Sequence, residues 1–292
     1  MKLSSVTSAV ERAQPWLGTL VSIRVEGLAL PQAHAAIDTA FAEVAAVHKL
    51  MSFHREDSDV SKLNQFAASR PIRVHPLTFT VLQIALDLSS RTNGCFDISV
   101  ATQLADWGFL PTMSVGNCAP QGSWRDIELH ADGSVLFHRP LLIDLGGIAK
   151  GFAVDRAMDA LCSQNVRRCV VNAGGDISVS GEQAERIALD RGIPANDLPV
   201  LELRNGSVAS STGLRKASWH YGHKVGPHVH GVSRLPSPAE RFASVVANRC
   251  IIADALTKVV LAEGANSRNL LQQFGATAHL YEPEGRWVHL EP

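Results

Sequence analysis

"LLIDLGGIAKGFAVDRAMDAL", residues 141–161, runs from an apolar segment into Gly146 and Gly147, passes Lys150 and Gly151, and continues in a helical pattern that carries Asp155 and Arg156. The spacing predicts a strand over 141–145, a glycine turn, and a helix over 149–163. Two readings of the turn stand side by side. In one it is a tight connection and nothing more. In the other it is an anion site: a helix N-terminus leaves backbone N–H groups unpaired at the positive end of the dipole, and Lys150 adds a full charge there. Asp144, at the end of the predicted strand, is placed to cap the turn or to orient a ligand. The segment is neither G-x-x-x-x-G-K-[ST] nor G-x-G-x-x-G, so neither common nucleotide loop is present in it.

A second double glycine lies in "RRCVVNAGGDISVSGE", residues 167–182, read as strand, turn and strand. Gly174 and Gly175 allow a positive φ or a close backbone approach, and Asp176 either bonds its own turn or faces a ligand. Outward from these turns, residues 18–27 alternate like a half-buried strand, with Val21, Ile23 and Val25 on one face. Residues 32–51 form an amphipathic helix through Ile37, Phe41, Val44, Val47 and Met51. Ser58 offers an N-cap to a short helix, and 76–91 form a helix closed by Asn93-Gly94. "GCFDISVATQLADWGF" (94–109) mixes strand and helix signals and reads as irregular, while 118–124 is turn-rich. Asp132-Gly133 marks a hairpin in 127–140. Strands follow at 185–190, 199–204 and 206–210. Residues 215–240, with Pro, Gly and four histidines, read as one long loop. "FASVVA" is a strand, "IIADALTKVVLAEG" a helix ended by Gly264, and Glu284-Gly285 the turn of a last hairpin. Helices and strands do not alternate steadily, so the expected class is α+β, with mixed, largely antiparallel sheets and packed helices.

The chain has 292 residues, 46 % hydrophobic and 19 % charged, with a net charge of −1. That is enough for a sizeable core and gives no polybasic footprint for nucleic acid or anionic membrane. No apolar run is long enough for a membrane span, and "MKLSSVTSAVERAQPWLGT" has no apolar h-region of a signal peptide. The five cysteines, Cys95, Cys118, Cys162, Cys169 and Cys250, are scattered and form no C-x-x-C pair. They argue against a disulfide framework or a cysteine zinc site, and the expected compartment is the cytoplasm.

Other side chains carry possible chemistry. Asp254 and Lys258 in "ADALTK" share a helix face at i, i+4, among apolar neighbours that would demand a partner for the carboxylate. The alternative is an ordinary salt bridge. Phe96 and Asp97 follow Gly94 as an aromatic–carboxylate pair, open between core-plus-cap and ligand contact. In "HYGHKVGPHVH" (220–230), His220, His223, His228 and His230 make a transition-metal site conceivable, although only His228 and His230 share a strand-like face; solvated or substrate-facing imidazoles are the other reading. No G-x-S-x-G nucleophile elbow is present.

Taken in order, "LGTLVSIRV", "MSFHREDSDVSKLN", "TNGCFDISVATQLADWGF", "IDLGGIAKGFAVDRAMDAL", "VNAGGDISVSG", "VASSTG" and "CIIADALTKVV" resemble the ApbE family of FAD:protein FMN transferases, from about residue 16 to 264. The resemblance implies an ApbE-like fold over 1–292, as one unit or as two closely packed lobes with the FAD site between them. It implies an enzyme that cleaves FAD with Mg²⁺ and passes FMN to a threonine hydroxyl of a partner flavoprotein. Its alternatives are an FAD pyrophosphatase releasing FMN and AMP, or an FAD-binding protein without turnover. It implies catalytic roles for His228, Asp254 and Lys150. Flavin contacts would come from Met51, Ser52, Phe53, Asn64, Phe96, Asp97, Asp144, Gly146, Lys150, Asn172, Gly174, Gly175 and Asp176. Metal contacts would come from the Gly147 carbonyl, Asp254 and Thr257.

Two departures stand out. Relatives commonly carry a threonine four residues after the helix aspartate as a further metal ligand; here that position is Lys258, and the threonine is Thr257. A charged ammonium cannot ligate Mg²⁺, but it can stand in the cation's place beside Asp254. Relatives also read H-I-I-D-P-R-T-G where this chain reads "HVHGVSRL" (228–235), so the histidine aligns with His228 and the Asp-Pro is missing.

Overall fold

The alternation of residues 18–27 is realised as a strand with one buried face. In the computed structural model, which describes residues 9–291 apart from 114–121, 165, 193–197, 215–216 and 221, strand β1 (Val10–Trp16) pairs antiparallel with β2 (Thr19–Glu26). Val21, Ile23 and Val25 are fully buried while Leu20 is exposed. The chain continues through helix α1 (Leu30–Met51), helix α2 (Asp59–Phe66), the short strand β3 (Ile72–Arg73), helix α3 (Pro76–Arg91) and helix α4 (Ala101–Asp106). Next come β4 (Ile127–Leu129) and β5 (Ser134–Phe137), then helix α5 (Ala149–Cys162), β6 (Arg168–Ala173), β7 (Asp176–Ser180), β8 (Glu185–Ala188), β9 (Val200–Leu203) and β10 (Gly206–Thr212). The C-terminal part holds β11 (Ser218–His220), β12 (His223–Val225), β13 (Phe242–Ala247), helix α6 (Cys250–Glu263), helix α7 (Arg268–Gln273), β14 (Thr277–Tyr281) and β15 (Trp287–Leu290).

Among the described residues, eight strands form one sheet in the order β1-β2-β6-β7-β10-β13-β14-β15, and every pairing in it is antiparallel. The α+β expectation holds. Helices α1, α5 and α6 lie side by side on one face of this sheet. The period-2 alternation sends Cys169, Val171 and Ala173 of β6 into that core. Val170 turns to the other face, where it joins Ile177, Val179, Leu203 and Val208 in a smaller cluster beneath the β8–β9 hairpin. The middle of the sheet is therefore covered on both sides.

Helix α5 can lie close to α6 because Gly151 has no side chain. A Cβ there would overlap the Cys250 carbonyl oxygen and stand 2.8 Å from the Cβ of Asp254. The contact brings the glycine bend before α5 against the part of α6 that carries Asp254.

Three expectations need correction. Residues 94–109 are not irregular: Asp97 caps a 3-10 turn over Ile98–Val100, and α4 follows. Residues 141–145 are largely buried but are not a strand. Instead of a neighbouring strand, the Asn64 side-chain amide bonds both backbone groups of Ile143, at 2.8 and 3.0 Å, and Asp144 N–H donates to the Ile98 carbonyl at 2.9 Å. An apolar run bounded by glycines meets the strand pattern, but nothing in the pattern reveals that its partner is a side chain. The 215–240 stretch contains the β11–β12 hairpin and a bridge between Val229 and Pro236, so it is less loop-like than its composition suggests. Most of the turn-rich 118–124 stretch, and the first eight residues, lie outside the described residues.

Candidate functional site

The carboxylate of Asp155, on α5, accepts the amide hydrogens of Cys250 and Ile251 and so caps α6 from the neighbouring helix. With that register set, four charged groups meet where the two helices open toward the sheet. Lys150 Nζ is bonded to Asp176 at the β6–β7 turn and stands 3.5 Å from Asp254. Asp254 also accepts the Gly151 N–H at 3.0 Å and pairs with Lys258. The Lys258 ammonium has further oxygens around it: the Asp254 carbonyl at 3.0 Å, Thr257 Oγ1 at 3.1 Å and Ser211 Oγ at 3.3 Å.

The cluster is formally neutral, but its layers are not. The Asp176 and Asp254 side chains are 1 % and 0 % exposed, whereas those of Lys150 and Lys258 are 29 % and 14 % exposed. The two lysine side chains therefore line the cleft and the carboxylates lie beneath, which puts the positive members of a neutral cluster on the cleft side. Burial raises the pKa of Asp254, but Lys150, Lys258 and the Gly151 amide outweigh it and hold the carboxyl below its ordinary range. Asp176 goes the other way: burial and the Asp254 charge hold it high despite its own bond to Lys150. Burial would lower Lys150, yet the two aspartates keep it firmly protonated. Two carboxylates sharing one ammonium part their affinities in this manner.

The cleft has a volume of about 900 Å³. Its sides come from Met51, Ser52 and Phe53 after α1, from Phe96 and Asp97, from Asp144, Gly146 and Gly147, and from Asn172, Gly174 and Gly175. The Asn64 amide holds the 141–145 segment from behind, so Asn64 itself is buried away from the cleft walls. Burial pushes the Asp144 carboxyl up, opposed by the Gly146 amide. Asn172 accepts the Gly175 N–H at 2.9 Å and steadies a turn whose two glycines have φ of 65° and 102°, a conformation L side chains rarely take. Gly174 also leaves room for Thr19, since a Cβ would meet that side chain at 3.0 Å or less. Asp176, Asp254 and Thr257 lie under the surface and reach the cleft only through the lysines. Thr257 is fully buried; its hydroxyl bonds the Asp254 carbonyl at 2.7 Å and Ser211 Oγ at 2.8 Å.

Of the histidines in 220–230, His228 lines the cleft, and its imidazole is brought from 6.5 down to about 3 by burial and by Lys258, against a hydrogen bond to the Thr212 backbone. His230 does not share that site. It turns to Glu263, its Nε2 3.0 Å from the carboxylate.

Sequence reasoning missed two features of the walls. Arg234, with φ of 58°, places its guanidinium 2.8 Å from Asp97, which also accepts the Ser99 N–H at 2.8 Å. Asp97 is thus a structural tie to the loop that carries Arg234 as well as a lining residue. On the outer face of the sheet, Arg24 and Arg168 both pair with Glu185, and Arg168 also with Glu26 at 2.6 Å. Arg24 and Glu185 extend the cleft under β8. The polar face of β2 signalled Arg24, but its partner lies more than a hundred residues away in sequence.

Comparison with known proteins agrees with this architecture. The sequence pattern of the ApbE family matches residues 17–280. A FAD:protein FMN transferase of Vibrio cholerae is 28 % identical over 244 residues, covering 75 % of this chain and 70 % of the relative. One from Treponema pallidum is 26 % identical over 307 residues, covering 94 % and 85 %. Among solved structures, the ApbE protein of Thermotoga maritima superposes with a TM-score of 0.83 at 23 % identity, covering 97 % of both chains. At that identity the superposition speaks to the fold alone.

Proposed function

This chain belongs to the ApbE family, and from that premise we propose that it is a FAD:protein FMN transferase that transfers FMN from FAD to a threonine hydroxyl of a partner flavoprotein. In the reaction the threonine oxygen forms a bond to the FMN phosphorus, the bond from that phosphorus to the bridging oxygen breaks, AMP leaves, and the hydroxyl proton passes to a base or to solvent. The observation that carries the reading is the meeting of the glycine bend and α6: Lys150 and Lys258 side by side over Asp254, at the bottom of a cleft large enough for a dinucleotide. Cleaving a pyrophosphate needs charge neutralisation and alignment of the transferring oxygens more than covalent work by the protein, and the two ammoniums supply that positive charge. Phe96 and the 51–53 segment are apolar and polar neighbours suited to a ring system. His228, held uncharged by burial and by Lys258, is placed to accept a hydrogen bond from the incoming hydroxyl.

The Mg²⁺ that the family implies does not fit Asp254 in this chain. The direction a metal would use at that carboxylate is taken by Lys258 Nζ, and the Thr257 hydroxyl is committed to Asp254 and Ser211. The Lys258 ammonium, ringed by oxygens, stands in for the cation. The Asp254 helix then holds the pyrophosphate by salt-bridged hydrogen bonds rather than by a shared metal.

Incubation with FAD and a threonine-bearing acceptor peptide tests the reading. Mass spectrometry should find the peptide carrying FMN and AMP released in equal amount. Free FMN with no peptide adduct would replace transfer by hydrolysis, and FAD left intact would remove the activity.

A further inference from the structure

Next to the wall formed by Cys95–Phe96–Asp97, the chain brings together three side chains to which the proposed reaction gives no role. Cys95 is buried just after α3, His230 sits two residues beyond His228, and Glu263 closes α6. The Cys95 sulfur, an imidazole nitrogen of His230 and a Glu263 carboxylate oxygen all lie within 4.8 Å of one another. They border a second cleft of about 350 Å³ that shares only Cys95 with the larger one and has Asn93, Asn266 and Asn269 in its lining.

The backbone holds this trio in place. Gly231 N–H donates to the Cys95 carbonyl at 2.9 Å, and His230 and Leu235 are joined backbone to backbone at 2.9 Å. His230 Nδ1 accepts from the Val232 N–H at 3.2 Å and the Ser233 N–H at 3.4 Å. With Nδ1 accepting, Nε2 is the nitrogen directed to Glu263. The Glu263 carboxylate thus stands next to two weak donors, an imidazole N–H and a buried thiol. Burial, reinforced by Glu263, keeps the Cys95 thiol protonated, up to about 12. In this protonated form the trio is a hydrogen-bonded cluster around one carboxylate.

We propose that Cys95, His230 and Glu263 form a binding site for one divalent transition-metal ion of the zinc class. A thiolate, an imidazole and a carboxylate are the donors that zinc-class ions take, and three protein ligands with a cleft on the open side leave a fourth position for water. Magnesium, a hard cation that wants oxygen, is not served by a cysteine sulfur. Binding displaces the thiol proton and the imidazole N–H contact, so the metal competes with protons. The site spans the segment leading into Phe96 and Asp97, the loop that carries His228, and the end of the helix that carries Asp254. An ion there would clasp three walls of the cleft.

Cobalt(II) is the probe. Metal-free protein titrated with Co²⁺ should give one equivalent of a tetrahedral visible spectrum with a thiolate-to-cobalt charge-transfer band, bleached by Zn²⁺ and unaffected by excess Mg²⁺. Cys95→Ser should lose the charge-transfer band. Glu263→Gln, at a half-exposed position that tolerates the change, should weaken Co²⁺ binding by roughly 10-fold or more. His230→Gln should do the same, with circular dichroism showing each variant folded. A wild-type spectrum without the sulfur band, binding that is equally tight in Cys95→Ser and Glu263→Gln, or no binding at all would overturn the site.

Discussion

The Asp155 carboxylate lies 2.8 Å from the Cys250 amide nitrogen and 3.0 Å from that of Ile251, so the first residues of α6 are fastened to the middle of the neighbouring helix α5. Helix α6 begins with no side-chain cap of its own. Asp155 supplies that cap from α5, and Arg249 adds a 3.3 Å ion pair to the same carboxylate. One buried side chain therefore sets how far Lys150, one turn earlier on α5, stands from Asp254, one turn later on α6.

Replacing Asp155 with alanine leaves two buried N–H groups without acceptors and frees the helix register. Each orphaned donor costs on the order of 1–3 kcal/mol. The melting temperature of Asp155→Ala should fall by roughly 5 °C or more, and FAD affinity should fall with it because the lysine–aspartate spacing relaxes. Asp155→Asn, which retains one acceptor, should lie between. Calorimetry and a flavin-binding titration on the same preparations check both. A variant as stable as wild type would show that α6 is held by packing alone.

Lys150 is the ammonium shared by two buried carboxylates. Lys150→Ala removes positive charge from the cleft surface and leaves Asp176 and Asp254 facing each other. FAD binding should weaken by roughly 1–3 kcal/mol, the scale of a charged hydrogen bond. The loss should be smaller in acid, where Asp176, already held above its usual range, takes up a proton and relieves the repulsion. Equal affinity in mutant and wild type across that pH range would take Lys150 out of the site.

Much of this was legible in the sequence because it is periodic or punctuated. Ile37, Phe41, Val44, Val47 and Met51 announce α1, Ser58 caps α2 as its hydroxyl suggests, and Gly264 ends α6 with a φ of 59°. The i, i+4 spacing of Asp254 and Lys258 foretold their contact on one helix face. What stayed hidden depends on partners far along the chain. The 141–145 run reads as a strand, but Asn64 takes the place of a paired strand. Asp97 reads as a cap, and the structure makes it that and also the partner of Arg234, more than a hundred residues on. No local pattern of residue types records which of several arginines and carboxylates will meet after folding.

Lys258 makes a claim about metals that Thr or Met at the same place would undo. In the wild-type chain, removing divalent ions with EDTA should change FAD affinity by less than about 2-fold, because the ammonium already neutralises Asp254. Lys258→Thr opens the carboxylate and offers a hydroxyl, so FAD binding should drop by roughly 10-fold without metal and recover with added Mg²⁺. Lys258→Met should drop and not recover. Isothermal titration with FAD, with and without Mg²⁺, reads all three. If the wild type lost its affinity in EDTA and Lys258→Thr behaved no differently, the lysine would not be the resident cation.

His228 gives the last prediction, through its proton. Its folded value, about 3, lies below the ordinary 6.5. Between those two values the unfolded chain binds the proton and the folded one does not, so stability is fully present above about pH 6.5 and falls as the pH drops toward 3. The groups responsible are burial and the positive charges of Lys258 and Lys150, with Asp254 opposing them. A bound pyrophosphate reverses the local sign, because its oxygens pair with the same ammoniums and draw a proton toward the imidazole. FAD binding should therefore take up protons near pH ~5.5, most of all where free His228 is neutral and the bound form is not. Calorimetry in two buffers of different ionisation enthalpy measures this directly: the apparent binding enthalpies should differ in the direction of uptake, and the difference should vanish in His228→Gln. The same variant should also lose less melting temperature than wild type between pH ~7 and ~5, since glutamine has no proton to gain on unfolding. Identical enthalpies in both buffers for the wild type would mean that the histidine keeps its distance from the phosphates, and that another group must receive the hydroxyl proton during transfer.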